Sequence, residues 1–253
     1  MDMKTSISTL IIISILAIAN VTAQAQNKVV LLDISHSQKS DYTNVNPQMF
    51  EQYHELVENK LGAALEINED KELAGALLAN TEVLIIISPL SSATSGNLTP
   101  TERTAIVNFV RNGGKVILFS DEDRRVNDAE FGGNDIIKPF GMSFGGDLPL
   151  PGNIGAISFV GEVIKGRYEL PYSGGRKITG GIPLSVVNTE GGYVHGAYAE
   201  LDNGGKIAAF GETMVGLFMG SVEMKRPNGE TIVWFGEDDK QFMQELISWM
   251  LED

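Results

Sequence analysis

EVLIIIS at residues 82–88, TPTE at 99–102 and KVILF at 115–119 follow one another with short links, and their order decides the fold. The first and third runs are continuous Val, Ile, Leu and Phe, the composition of strands buried on both faces. Between them Thr99 stands as a helix N-cap, Pro100 takes the first helical position and Glu102 lies three residues after the cap, the pattern of a capping box. Ile106, Phe109 and Val110 recur at helical spacing, and Gly113-Gly114 ends the helix. Strand, helix and strand in this arrangement predict a right-handed parallel crossover.

Working toward the N-terminus, KVVLLDI at 28–34 predicts a further buried strand ending at Asp33. Asn46-Pro47 predicts a helix start, with Phe50, Tyr53, Val57 and Leu61 on its apolar face and Gly62 as its stop. A weak second strand over 64–67 follows, then a short helix capped by Asp70 and carrying Leu73, Leu77 and Leu78. Toward the C-terminus the texture changes between Phe140 and Gly205. Gly is frequent there, and short alternating runs such as 156–160 and 193–195 predict strands and turns appended to the sheet. KIAAF at 206–210 returns to the buried-strand pattern. A final helix is predicted with Asp238 or Asp239 as cap and Phe242, Leu246, Trp249 and Met250 on one face. The expectation is an α/β domain with a mostly parallel sheet over residues 26–253 and a β-rich, Gly-rich segment at 140–205.

Residues 1–25 carry the three parts of a secretory signal: Lys4, the apolar run LIIISILAIA at 10–19, and small residues at Ala23 and Ala25. The run is too short to span a bilayer, which needs about 20 apolar residues. Cleavage after Ala25 is expected, with no stable membrane insertion afterwards and a secreted or periplasmic location. Lys and Arg number 19 against 33 Asp and Glu, for a formal net charge of −14. Nucleic acid and anionic lipid need basic patches, so neither is an expected partner. The chain has no Cys, which excludes disulfides, thiol nucleophiles and cysteine metal sites. With three His in the whole chain, no metal and no cofactor are expected.

Five segments carry a resemblance. They are Asp33-Ile34-Ser35-His36; residues 99–119; Pro139-Phe140-Gly141-Met142-Ser143-Phe144; Ile178-Thr179-Gly180-Gly181-Ile182; and residues 204–213 followed by the helix at 239–251. In this order they make the chain similar to the class I glutamine-amidotransferase-like fold. Within that fold it resembles a branch of unknown function that includes intraflagellar-transport and gliding-motility domains. The trehalose-utilisation-like proteins share parts of the pattern. The resemblance implies a flavodoxin-like three-layer sandwich. It does not imply glutaminase activity, because the family's nucleophile is a Cys and this chain has none; function resides in sites, not in folds.

In open parallel sheets, ligands bind outside the carboxyl ends of the strands. Here those ends present Asp33, Ser35 and His36; Pro89, Ser91 and Ser92; residues 120–125; and Glu212 and Thr213. Asp33 with His36 forms an acid–base pair if the Asp orients the imidazole; the alternative is an Asp that caps its own turn. Asp121, Glu122 and Arg124 could hold a cation or an anionic group, although a solvated loop is the favoured reading. Glu212 could face His36 across a pocket, or Glu212-Thr213 could form the acidic, capped start of a helix. The string Gly141-Met142-Ser143-Phe144-Gly145 spells a nucleophile elbow, but that motif needs a strand before the Ser and a helix after it. The context here reads as the reverse. His195 reads as an ordinary half-exposed strand residue and His54 as a surface residue.

Two functions follow as expectations. The first is a non-catalytic binding module that recognises a small molecule, glycan or protein through the strand-end rim, with Ser35, Ser91, Asp121, Glu122, Arg124 and Thr213 as contacts. The second is a hydrolase or lyase acting on a small or carbohydrate substrate, with Asp33, His36 and Glu212 as acid–base groups.

Overall fold

The computed structural model describes residues 28–90, 96–148, 155–171, 174–188, 192–225, 228–234 and 236–253. Residues 1–25 and Ser91 lie outside the described residues.

The chain opens with β1 (Val29–Asp33), α1 (Lys39–Val45) and α2 (Met49–His54), the last running on into a π-helical turn over Glu55–Lys60. Then come β2 (Ala64–Asn68), α3 (Gly75–Ala79), β3 (Val83–Ile87), α4 (Pro100–Arg111) and β4 (Lys115–Phe119). The short helices α5 (Asp128–Phe131) and α6 (Gly133–Ile137) precede a single 3₁₀ turn, Lys138–Phe140. The β-rich segment holds β5 (Ser143–Leu148), β6 (Ala156–Ser158), β7 (Glu169–Leu170), β8 (Gly175–Thr179), β9 (Ile182–Val187) and β10 (Tyr193–Glu200). The chain closes with β11 (Lys206–Phe210), α7 (Met214–Leu217), the hairpin β12 (Val222–Lys225) and β13 (Thr231–Trp234), and α8 (Glu237–Leu251).

Among the described residues nine strands form one sheet in the order β2-β1-β3-β4-β11-β10-β9-β6-β7. The pairs from β2 to β11 are parallel, and those from β11 to β7 are antiparallel. β11 therefore runs with β1 and β4, although the β-rich segment intervenes in sequence. Strand residues alternate between two apolar layers. Val30, Leu32, Ile85, Ile87, Ile117, Phe119 and Phe210 face α1, α2 and α8. Leu31, Leu84, Ile86, Val116, Leu118 and Ile207 face α3 to α6. The result is the expected three-layer α/β sandwich, with β5 and β8 pairing as a separate antiparallel ribbon.

Local starts differ from expectation in three places. Asn46 does not cap α2 directly: its Oδ1 accepts from the Gln48 N–H at 3.0 Å, and the helix begins at Met49. Asp70 caps nothing, because the Leu73 N–H donates instead to Glu102 Oε1 at 3.0 Å and α3 starts at Gly75. α8 starts after Gly236, so Asp238 and Asp239 lie inside its first turn. Asp238 Oδ2 accepts from the Glu169 N–H at 2.8 Å, and Asp239 is turned into the core. The helix α1 had no apolar period to announce it.

Candidate functional site

The C-terminal edge of the parallel strands carries three polar clusters. The first is built on β1. Asp33 is buried, and its Oδ1 accepts from Ser35 Oγ and from Asn68 Nδ2, each at 2.7 Å. Its Oδ2 lies 3.2 Å from His36 Nδ1. The other ring nitrogen, Nε2, lies 3.2 Å from Glu102 Oε1 and 3.3 Å from Oε2. Glu102 is there because of the capping box. Its Oε2 accepts from the Thr99 N–H at 2.8 Å and from Thr99 Oγ1 at 2.9 Å, while Thr99 Oγ1 accepts from the Glu102 N–H at 3.2 Å. His36 is thus sandwiched between a carboxylate of β1 and one of α4. Burial lowers its basicity, but the hydrogen bonds and charges of Asp33 and Glu102 outweigh burial and raise its pKa above 6.5.

The second cluster joins β4 to the segment after β11. Asp121 is buried; its Oδ2 accepts from Thr213 Oγ1 at 2.6 Å and its Oδ1 from the Glu122 N–H at 2.8 Å. Burial raises the Asp121 pKa, and Arg125, 3.8 Å away, partly opposes the shift. Arg124 Nε donates to Glu122 Oε1 at 2.6 Å. Beneath this loop lies buried Arg176, which donates from Nε to the Asp121 carbonyl at 2.6 Å and from Nη2 to the Val126 carbonyl at 3.0 Å, and pairs with Asp123. Residues 120–125 are therefore stapled to β8 and not simply solvated. Nothing in the local sequence around Arg176 marked it.

The third cluster sits between β10, β11 and α8. His195 is 0% exposed, not half-exposed: its ring packs edge-on against Phe210 of β11, with Ser185 of β9 beside it. Ser185 Oγ lies 2.9 Å from its Nδ1, and Glu212 Oε2 lies 3.6 Å from its Nε2. Burial pushes the imidazole pKa down to about 3. Asp239 faces the same cluster; burial, then the charges of Glu212 and Asp238, raise its pKa well above 3.8. Gly211 makes the junction feasible. Its N–H donates to the His195 carbonyl at 2.9 Å and its carbonyl accepts from the Arg176 N–H at 2.8 Å. A Cβ there would stand 1.8 Å from the Arg176 carbonyl oxygen.

The structure therefore places Asp33, Ser35, His36, Asp121, Glu122, Arg124, Glu212 and Thr213 on one edge. It joins the first three in one network and Asp121 with Thr213 in another. Glu212 pairs with His195, not with His36. Two strands stand between β1 and β11, which at about 4.8 Å per strand separates their ends by about 14 Å. Ser143 follows a 3₁₀ turn and opens a strand, the reverse of a nucleophile elbow. Among the described residues no group of three or more acidic or His side chains is arranged to hold a metal ion. A hollow of about 460 Å³ lies at the opposite edge, beside Lys28, Leu251 and Asp253, away from all three clusters.

No family model and no curated protein matches the chain. Among solved structures, the fold is similar to that of a ThuA-like protein from Bacteroides uniformis, with a TM-score of 0.57 and 15% sequence identity over 90% of this chain and 92% of that one. At that identity the likeness is one of fold.

Proposed function

We propose that this chain is an exported, non-catalytic binding domain whose strand-end rim recognises a glycan or protein partner. The observation that carries the reading is the state of His36. Both ring nitrogens already face protein carboxylates, so the rim's best-placed base is engaged within the fold. The absence of Cys removes the nucleophile of the amidotransferase-like fold. An acid–base pair of His36 and Glu212 across one pocket is disfavoured, because each has its own partner in a separate cluster. The carbohydrate leaning rests on the ThuA-like neighbour, and the order of the five sequence segments keeps the intraflagellar-transport and gliding-motility branch beside it. Export rests on residues 1–25, which predict a mature chain starting at Gln26.

The test is a thermal-shift screen of oligosaccharides and small sugars. A ligand that binds only the folded state at one hundred times its Kd stabilises by about 2.7 kcal/mol. One saccharide class should raise Tm without being consumed, and Ser35→Ala should weaken that shift. Turnover of any bound sugar would overturn the non-catalytic reading, and a flat screen would overturn the glycan reading.

A further inference from the structure

We propose that His36 is a proton-dependent latch that fastens the loop after β1 to the N-terminus of α4, and through its own carbonyl to Gly96, so that losing one proton loosens this part of the rim. The geometry requires the proton. A neutral imidazole carries one N–H and one lone pair. Nδ1 faces Asp33 Oδ2 at 3.2 Å and Ser35 Oγ at 3.1 Å, and Nε2 faces Glu102 at 3.2 Å. The one Ser35 hydroxyl proton goes to Asp33 Oδ1 at 2.7 Å, so a neutral ring satisfies one carboxylate and turns its lone pair toward the other side. Only the imidazolium donates to both.

Everything around the ring is anchored without it. Asp33 keeps Ser35 Oγ and Asn68 Nδ2. Glu102 keeps the N–H groups of Thr99 and Leu73 and the Thr99 hydroxyl. Tyr42, which feels the Asp33 charge, donates to the Ile87 carbonyl at 3.0 Å and is held neutral by burial. Asp33 and Glu102 are the charged groups that act on the ring, and neither has a reason to move. The His36 turn is closed by the Ser37 N–H on the Ile34 carbonyl at 3.2 Å, and the His36 carbonyl accepts from the Gly96 N–H at 2.8 Å. Deprotonation therefore releases His36 and Gly96 and leaves strands and helices in place.

The sign agrees. A folded-state pKa raised above 6.5 makes the latch full strength below pH 6.5 and lost as pH rises through the folded value. The proposal concerns the loop in the uncomplexed protein, so it stands or falls separately from the identity of any ligand.

The experiment is an NMR titration of the His36 ring together with amide exchange at Gly96, corrected for intrinsic base catalysis, in wild type and in His36→Gln. The ring should titrate above 6.5. Gly96 protection should fall through the same transition, by about tenfold for each unit by which the latch raises the pKa, while Ile85 in the central strand keeps its protection. In His36→Gln, Gly96 protection should not change with pH over this range. A ring that titrates at or below 6.5, or Gly96 protection that stays level through the wild-type titration, overturns the latch. The wild-type data alone decide the matter if the variant does not fold.

Discussion

His36, half-buried, and His195, fully buried, lie on the same edge of the same sheet, yet their environments drive them in opposite directions. The His36 side chain keeps 11% of its surface exposed and lies between two carboxylates, whose hydrogen bonds and charges override burial and hold it protonated above its ordinary range. His195 has no exposed surface, and burial alone takes its pKa to about 3 even with Glu212 at 3.6 Å. The difference teaches what a carboxylate must do to charge a buried histidine. A partner at 3.2 Å on each nitrogen, itself anchored by other donors, offsets desolvation. A single carboxylate beyond hydrogen-bond distance, sharing its pocket with Asp239, does not.

The largest consequence is on the acid side. His195 has an ordinary value of 6.5 in the unfolded chain and about 3 in the folded one. Its contribution is complete above pH 6.5 and is lost as pH falls from 6.5 toward 3, at a limiting slope of about 1.4 kcal/mol per pH unit. Asp239, raised above 3.8, has the opposite sign and blunts the slope in that window. Guanidinium unfolding at pH 7, 6, 5 and 4 should show wild-type stability falling, and His195→Gln should flatten the fall. Equal slopes in the two proteins would break the comparison. On the alkaline side His36 acts in the reverse sense, losing its contribution as pH rises above 6.5.

These two histidines also divide what was legible from what was not. The centre of the parallel half announced itself because β3, β4 and β11 are buried on both faces and read as apolar runs at 82–88, 115–119 and 206–210, whereas the edge strand β2, partly exposed, read only weakly. Asp33 and His36 could be placed because they directly follow such a run. The capping box was legible from Thr99, Pro100 and Glu102, but its Glu also serves His36, which lies 66 residues earlier, and local spacing cannot show that. His195 was misread for a physical reason. Gly196 follows it in a Gly-flanked alternating strand, a pattern that suits a half-exposed ribbon. In the folded protein the His195 ring is covered by Phe210, which belongs to a strand read separately, so the position is internal. Arg176 was silent and Asp239 was read as a helix cap, because their burial is set by elements distant in the chain.

A smaller effect sharpens the same contrast at the level of a hydroxyl. Ser185→Ala removes the group 2.9 Å from His195 Nδ1 in a region without solvent. It should cost about 1–3 kcal/mol in chemical denaturation, the range for weakening the satisfaction of a buried polar group. Ser35→Ala removes a hydroxyl 3.1 Å from His36 Nδ1, but Asp33 still serves that nitrogen. It also removes the 2.7 Å hydrogen bond to Asp33 Oδ1, but that oxygen keeps Asn68 Nδ2 and Ser35 is only half-buried, so water replaces the lost partner and the cost should stay at about 1 kcal/mol. Equal costs for the two variants would mean that solvent access and the second partner make no difference.

The last effect tests whether Glu102 is anchored as firmly as the latch requires. Thr99→Ala deletes the N-cap oxygen that accepts from the Glu102 N–H and the hydroxyl that donates to Glu102 Oε2. Loss of an N-cap of this type costs about 1 kcal/mol, so denaturation at pH 6 should show that decrease. The carboxylate nevertheless retains the N–H groups of residue 99 at 2.8 Å and of Leu73 at 3.0 Å, which fix it from the backbone. With one donor fewer on Oε2, Glu102 attracts the His36 proton more strongly, so the ring should titrate no lower than in wild type. The acid-side slope governed by His195 should be unchanged, because that cluster shares no residue with the capping box. A Thr99→Ala protein whose His36 titrates near 6.5 would show that the hydroxyl, not the two backbone donors, holds Glu102 against the ring.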